Sequence, residues 1–463
     1  MSTEHPVPLK VSRYVTRVEL DEVDTLLLYG GLAGRLIEVT GDRRADVEGV
    51  LANPNAPLDA DGNDVRSMLS DQGILVPETW DELAILEHRR ALAHDPDSGP
   101  MSLTICPTVN CNYRCTYCYQ RHVGKLMSES VQDRLTAFLA EQRPPVTSLW
   151  VTWFGGEPLL GLSVIERLTP LLRALVPDGS YGAHIITNGS LLTPEVSTRL
   201  IDLGVESAQI TLDGPRAVHD VRRPGAGGQP TFDRILVNMA AADRRLRFSV
   251  RVNTDRRNAD CVTELFDQLD GADLRGRAHV YFAPVTPYTQ VCADTAGHCL
   301  AGSDWSKVNA ELRLRAIERG YGSVRLPHSK TGVCIADDPR GWVVTPDGLF
   351  YKCWNDVTEP DKAVYDVVRG ERTARMQAEL DRWEKWTPFA LSECRDCRTL
   401  PQCHSGCAHL AMQQPGTLTH GDCSELKWNL PETIATYYLF QARQQAAEQI
   451  AAQRKIFQLQ PVI

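Results

Sequence analysis

From Met101 to about residue 290, six short apolar runs alternate with helical stretches, and this alternation constrains the fold more than any other feature. The runs cover residues 103–106, 148–153, 183–186, 207–212, 248–253 and 279–283, and the helical stretches residues 128–142, 163–175, 193–203, 231–244 and 260–269. Six βα units of this kind predict an α/β fold with a parallel sheet curled into an open, partial (β/α)6 barrel. In such a fold the chemistry belongs at the carboxyl ends of the strands.

The motifs at those ends fit the expectation. Residues 111–118 read Cys-Asn-Tyr-Arg-Cys-Thr-Tyr-Cys and follow the first run, so Cys111, Cys115 and Cys118 stand at Cys-x3-Cys-x2-Cys spacing in a turn. Three thiolates can converge on one face of a metal cluster and leave one metal position for a ligand that is not protein. Phe154-Gly155-Gly156-Glu157-Pro158 follows the second run; its glycines would let the backbone approach a ligand closely, and Glu157 offers a carboxylate for a cation. Thr187-Asn188-Gly189-Ser190 follows the third run, supplying small polar groups suited to hydroxyls. Thr211-Leu212-Asp213-Gly214-Pro215 follows the fourth, with His219, Asp220, Arg222 and Arg223 just beyond, where either arginine could pair with a carboxylate. On spacing alone the three thiols could equally be half of a zinc site, and Gly-Gly-Glu-Pro simply a turn.

The net charge of -10 argues against a general nucleic-acid or anionic-membrane binder. No apolar run reaches the roughly 18 to 20 residues that span a bilayer, and residues 1–6 carry no secretory pattern, so a cytoplasmic location is expected. Fourteen cysteines in a reducing compartment suit metal sites better than disulfides. They are unevenly spread: four lie between Cys106 and Cys118, seven between Cys334 and Cys423, and only Cys261, Cys292 and Cys299 lie between. In the second field Cys334 is followed by Gly348 and Cys353, then by Cys394-x2-Cys397-x5-Cys403-x3-Cys407 and Cys423. Seven thiols exceed one tetrahedral site and fall one short of two, and a pair of zinc ribbons is the plain alternative. Cys106 reads as a buried strand thiol and Cys261 as a packing residue in an amphipathic helix.

Taken together, these motifs resemble the radical S-adenosylmethionine (SAM) enzymes over residues 101 to about 290. The resemblance implies that Cys111, Cys115 and Cys118 hold three irons of a [4Fe-4S] cluster, whose fourth iron binds the amino and carboxylate groups of S-adenosyl-L-methionine. It further implies that Tyr117 lies against the adenine and that Gly155, Gly156 and Glu157 receive the methionine amino group. Asn188 and Ser190 fall near the ribose or carboxylate, and Arg223 at the carboxylate. The second cysteine field resembles the SPASM domain, which carries two auxiliary [4Fe-4S] clusters. Carried over, Cys334, Cys353 and Cys407 hold the first, and Cys394, Cys397, Cys403 and Cys423 fully ligate the second. The first is one ligand short; in the family that place is filled by a further cysteine or left open. His328, Cys292 and Cys299 are conceivable donors, and spacing does not decide among them.

Residues 8–95 contain strand-like runs at 15–20, 25–29 and 36–40, helices at 64–72 and 80–93, and no cluster of reactive residues. They resemble the small winged-helix domain that binds the leader of ribosomally made peptides by strand addition; a packing extension is the alternative. The expected division is therefore 1–98 recognition domain, 99–325 barrel, 326–430 SPASM domain and 431–463 tail, the last a helix at about 433–457 packed over the SPASM domain or the barrel.

The resemblance implies an oxidoreductase in which a 5′-deoxyadenosyl radical takes a hydrogen atom from a precursor peptide, and a C-C or thioether crosslink follows. An auxiliary cluster would receive one further electron, and a small redox donor such as flavodoxin or ferredoxin would supply the first. Three alternatives stand beside it. Sulfatase maturation to formylglycine places an aspartate base directly after the second cysteine of the SPASM field, where Lys352-Cys353-Trp354-Asn355-Asp356 has Trp354. Epimerisation needs a hydrogen-donating cysteine, for which Cys292 or Cys299 could serve. A zinc-holding scaffold needs no SAM.

Overall fold

The computed structural model describes residues 7–97, 99–122, 124–177, 180–330, 334–404, 406–413 and 423–458. The start, read above for a secretory pattern, Ser98 of the first linker and the last five residues of the tail lie outside the described residues.

Six parallel strands form the centre: β6 (Pro100–Thr108), β7 (Ser148–Gly155), β8 (Tyr181–Thr187), β9 (Val205–Thr211), β10 (Arg247–Thr254) and β11 (Ala278–Pro284). They pair in the order in which they occur along the chain. Each βα unit thus steps one strand over in the same direction, and right-handed crossovers then place every helix on one face. With helices on one side only, the twisted sheet curls and its other face becomes the barrel interior. Leu103, Ile105, Val151, Trp153, Ile185, Ile210, Val250 and Val252 are fully or almost fully buried in the resulting core. All six expected runs fall on these strands.

Beyond β6 the sheet continues into residues that the sequence assigned only to the cysteine field. β12 (Gly341–Val344) pairs parallel to β6, from Gly341 opposite Ser102 to Val344 opposite Ile105. β13 (Leu349–Tyr351) and β14 (Tyr365–Asp366) then add antiparallel. This covers the exposed edge of the first barrel strand, and it delivers Cys353 straight out of β13. Gly348 makes the β12–β13 turn at φ +84°, where a Cβ would lie 2.7 Å from Val368.

The N-terminal block has an antiparallel sheet of β2 (Val15–Leu20), β3 (Thr25–Gly30) and β4 (Arg35–Thr40), and a separate pair of β1 (Leu9–Val11) with β5 (Leu75–Pro77). Its helices cover Ala60–Asp71 and Glu82–Ala93, as expected, together with Arg44–Ala52, which the sequence reading left out. Asp59 and Asp81 cap the first two, accepting from Gly62 N and from Leu83 and Ala84 N. The central strand β3 reads Thr-Leu-Leu-Leu-Tyr-Gly and is buried throughout. Leu26 and Leu28 face Val47, Val65 and Leu69, while Leu27 and Tyr29 face Leu430 and Ile434 of the tail.

That tail is a helix over Leu426–Gln458, kinked at Asn429 ahead of Pro431. It begins before the expected start near residue 433. It packs on the helix Gly302–Glu318 of the barrel segment, and also on β2 of the N-terminal sheet, a contact that the sequence did not suggest.

Candidate functional site

The three-thiol turn crosses the mouth of the barrel directly after β6 and is held from two sides. On one side the end of β7 donates from Gly156 N to Thr108 O (3.2 Å) and from Glu157 N to Asn110 O (2.8 Å). A Cβ on Gly155, which sits at φ +126°, would lie 2.2 Å from the Thr108 carbonyl oxygen, and one on Gly156 would lie 2.2 Å from that of Asn110. The two glycines thus permit backbone to approach backbone, and both also line the cavity on their other side. On the other side runs the segment after the helix Arg216–Arg222, which carries His219, Asp220 and Arg222. Arg114 N donates to Pro224 O (2.8 Å), Thr116 N to Arg222 O (3.0 Å) and Ala226 N to Asn112 O (2.8 Å).

Cys111, Cys115 and Cys118 all line one cavity of about 240 Å³ inside the rim. Burial pushes the Cys111 thiol up to about 11 and that of Cys115 to about 12, so neither ionises near neutrality without a cation beside it. Metal loading here is therefore coupled to loss of these protons. A permanent positive charge faces them: Arg223 is buried, and its guanidinium acts on Cys115 and Asp213. Arg223 Nη1 donates to Tyr117 Oη (2.6 Å), whereas its Nε has no hydrogen-bond partner among the described residues. The Tyr117 hydroxyl donates to Asp213 and accepts from Asn253 Nδ2 (3.0 Å), and the Arg222 guanidinium lies 5.3 Å from the Tyr117 ring centre.

Of the residues singled out from the sequence, the cavity gathers the three thiols, Tyr117, Gly155, Gly156, Asn188 and Arg223. Glu157 and Ser190 stand behind its wall. Glu157 is fully buried, and its carboxylate accepts from Leu159 N (3.0 Å), Thr187 Oγ1 (2.6 Å) and Asn188 N (2.7 Å), tying the end of β7 to the end of β8. Burial raises its pKa against those three bonds. Ser190 Oγ donates to Asn188 Oδ1 (2.7 Å) and accepts from Asn112 Nδ2 (2.9 Å), while Asn188 Nδ2 donates to Asn112 Oδ1 (2.8 Å). Asn112, inside the cysteine motif, is thus a positioning residue that the sequence reading passed over.

It also passed over Gln209, Thr211, Arg251 and Asn253, which line the same cavity from β9 and β10. A signal existed: these polar residues stand two apart on neighbouring strands, with Thr211 opposite Arg251. Polar alternation in otherwise apolar strands marks the inner face of a barrel. Trp354 and Asn355 complete the wall from the C-terminal field, Trp354 packing on Phe154 with ring centres 5.5 Å apart.

In that field Cys394, Cys397, Cys403 and Cys423 line one small pocket, the four thiols grouped as the second set above. Cys334, Cys353 and Cys407 also face one another: the Cys353 thiol is pushed up by burial first, then by negative charge at Asp356, Cys334 and Cys407. A larger cavity of about 490 Å³, lined by Cys299, Cys403, Cys407 and Cys423, shares Pro284, Val285, Thr286 and Tyr288 with the barrel cavity. Cys106 packs among Phe154, Val343 and Tyr351. Cys261 precedes a short 3-10 turn, so it does not sit in a helix. Cys292 acts electrostatically on Cys118 and Cys299, on the barrel side of the field.

Residues 105–269 match the family model described as the radical SAM superfamily. The chain is 33% identical over 158 residues to a GTP 3′,8-cyclase of Synechococcus sp. (strain CC9902), covering 32% of this chain and 44% of that protein. It is 26% identical over 206 residues to a serine-type anaerobic sulfatase-maturating enzyme of Bacteroides thetaiotaomicron, covering 42% of this chain and 49% of that one. These matches span less than half the length of either curated relative. A solved structure described as native anSMEcpe with bound AdoMet and Cp18Cys peptide superposes with a TM-score of 0.56 at 19% identity, over 73% of this chain and 99% of that one, a likeness of fold. A three-thiol wall, a buried arginine with a spare N–H and a close-packed glycine pair fit a [4Fe-4S] cluster carrying SAM. Among the described residues no helix is long and apolar enough to cross a membrane.

Proposed function

We propose, from the match of residues 105–269 to the radical SAM superfamily, that the chain is a peptide maturase that removes a hydrogen atom from a ribosomally made precursor and installs a C-C or thioether crosslink. The observation that carries this reading is the pair of joined cavities, one bearing three thiols and an unfilled donor on Arg223, the other bearing thiols of both C-terminal sets. A cluster with SAM on Cys111, Cys115 and Cys118 would supply one-electron cleavage and hydrogen abstraction. The chain's own part is binding, orientation and exclusion of water. Arg223 Nε offers its free N–H to the SAM carboxylate, and Asn188, fixed by Asn112 and Ser190, offers an amide beside it. Gln209, Thr211 and Arg251 present polar groups to a peptide at the barrel floor, and Trp354 with Phe154 keeps the opposite wall dry.

The two C-terminal sets are proposed to hold auxiliary [4Fe-4S] clusters, and the β2–β4 sheet to receive the leader of the precursor. A crosslink removes two hydrogens, and an auxiliary cluster beside the larger cavity is where the second electron can leave. The related formylglycine chemistry is favoured less, because no carboxylate follows Cys353 directly and Trp354 occupies that part of the wall.

The test is co-expression with a candidate precursor followed by mass spectrometry. Loss of two hydrogens, with fragmentation suppressed between two residues and no reaction with a hydrazine, supports the crosslink. An unchanged mass with a changed residue configuration means epimerisation, and the same two-hydrogen loss confined to one serine that reacts as an aldehyde means formylglycine. Either of the last two overturns the reading, as does anaerobically purified protein that holds zinc and far fewer than about twelve irons.

A further inference from the structure

The C-terminal set of three thiols has a neighbour that its spacing does not announce. Beside Cys353 lie Asp356 and His409, and one ligand atom from each of the three falls within 4.8 Å of the others. Asp356 closes the short turn that Cys353 opens, its N–H donating to Cys353 O at 3.1 Å. His409 comes from the helix Ala408–Gln413, two residues after Cys407. It therefore borders the set twice, through space at Cys353 and along the chain at Cys407.

We propose that His409 is the fourth protein ligand of the cluster held by Cys334, Cys353 and Cys407. The inference rests on reading the C-terminal field as cluster-bearing. Between the two candidates the imidazole is the better donor. Iron in a thiolate- and sulfide-rich cluster prefers a borderline nitrogen to a hard carboxylate oxygen, and imidazole can stand in for thiolate in such clusters.

The remaining contacts suit a held ligand. Nδ1 of His409 lies 3.6 Å from Asp356 Oδ1, and its Nε2 lies 2.8 Å from the amide nitrogen of Gln413. That amide nitrogen also donates to Tyr288 O at 3.4 Å. Turning the amide by 180° gives up this long bond, presents its oxygen to Nε2–H and leaves Nδ1 for iron, the usual arrangement in which a second partner orients a ligating histidine. Both His409 and Asp356 are buried, so the donor is not in competition with bulk water. Of the donors considered from sequence, Cys292 Sγ is engaged with Thr289 O at 3.3 Å and His328 packs against Gly34. Cys299 lines the larger cavity with Cys407, its thiol donating to Thr295 O at 3.3 Å, and it is the alternative that a surviving full iron content without nitrogen coupling would favour.

The assignment bears on function. With four protein ligands the cluster has no site for substrate, and its role narrows to accepting an electron. A neutral imidazole in place of a thiolate leaves the cluster less negative and raises its potential, which suits an acceptor. His409 also stands edge-on to Tyr288, 6.1 Å between ring centres, and Tyr288 lines both cavities.

The experiment uses the full chain with Cys111, Cys115 and Cys118 replaced by alanine, reconstituted anaerobically, so that the spectra report the C-terminal clusters alone. In the reduced state, electron-nuclear double resonance is compared between protein made with ordinary and with 15N-labelled histidine. The expected result is about eight irons per chain and one imidazole nitrogen coupling that scales with the isotope. That coupling should disappear in His409→Ala and persist in His404→Ala. His409→Cys should keep the iron and move one midpoint potential to a more negative value. Full iron with no nitrogen coupling, or a coupling that survives His409→Ala, overturns the ligand assignment and leaves the cluster reading intact. About four irons, or zinc, in the starting protein overturns both.

Discussion

Two places in this chain gather three thiols, and they do so in opposite ways. Cys111, Cys115 and Cys118 come from a single turn, strapped by β7 on one side and by the Pro224–Ala226 backbone on the other. Cys334, Cys353 and Cys407 come from three separate segments: a loop, the exit of β13 and the approach to a short helix. The first is a local structure that the barrel displays, whereas the second exists only once the C-terminal field has packed against the sheet. A local site should fail alone when its own residues change. An assembled site should respond to distant contacts as well.

The largest effect tests the first half of that contrast. Cys115→Ala should reduce formation of 5′-deoxyadenosine from SAM to background while removing only about four of about twelve irons. Product chromatography and iron analysis check it; loss of all the iron would mean that the two fields are not independent. Next comes Cys403→Ala in the C-terminal field. It should also remove about four irons, abolish peptide modification, and leave uncoupled SAM cleavage within about threefold, since nothing in the barrel turn touches it. Disruption should reach the N-terminal block, because Cys394 and Cys397 pack with Tyr14, Leu32 and Phe389.

The same contrast explains what could be read from the sequence. All six barrel strands were legible, because alternation of short apolar runs with helices is a local signal. The grouping of Cys394, Cys397, Cys403 and Cys423 was implied by the family resemblance and not by spacing, which left a pair of zinc ribbons open; these four thiols line one small pocket. The role of Gly155 and Gly156 was half legible: a glycine pair announces a close approach, yet what approaches, the backbone at Thr108 and Asn110, is decided by tertiary packing. Pairing of β12 with β6 was not legible, since it joins residues near 341 to residues near 102. For the same reason His409 was invisible: it lies near Cys353 only through folding. The tail over Leu27 and Tyr29 is a third case, foreshadowed only by a strand apolar at nearly every position.

A smaller effect sharpens the account of the strapped turn. Gly156→Ala places a methyl 2.2 Å from a backbone oxygen and must displace either β7 or the turn, at about 3 kcal/mol. The expected readings are a lower urea midpoint and weaker SAM binding. Gly49→Ala, in the exposed middle of the helix Arg44–Ala52 with nothing within 4 Å of the new methyl, should instead stabilise by about 0.5 to 1 kcal/mol. If the two substitutions behaved alike, packing at the turn would not be what the glycines provide.

The last prediction probes the assembled field from a distance. Asp337, three residues after Cys334, accepts from both Arg90 terminal nitrogens and lies 3.2 Å from His94 Nε2, so one buried carboxylate links the helix Glu82–Ala93 to the loop that carries the first thiol of the set. Burial pushes its pKa up, but the bonds from His94 and Arg90 outweigh burial and hold it at about 2, below the ordinary 3.8. A depressed carboxyl stabilises the folded state above its unfolded value and loses that contribution as pH falls through its folded value. The window here is therefore roughly pH 4 to 2, and the contribution at neutral pH is about 2 kcal/mol. Asp337→Asn should lower stability by that order at pH 7, with a gap to wild type that closes as acid protonates the wild-type carboxyl. It should also loosen the set at Cys334 while leaving SAM cleavage at the barrel turn unchanged. Urea titrations at neutral and acid pH, with iron retention followed in parallel at pH 7, measure both. Equal loss of iron from the barrel turn would mean that the turn depends on the C-terminal field after all.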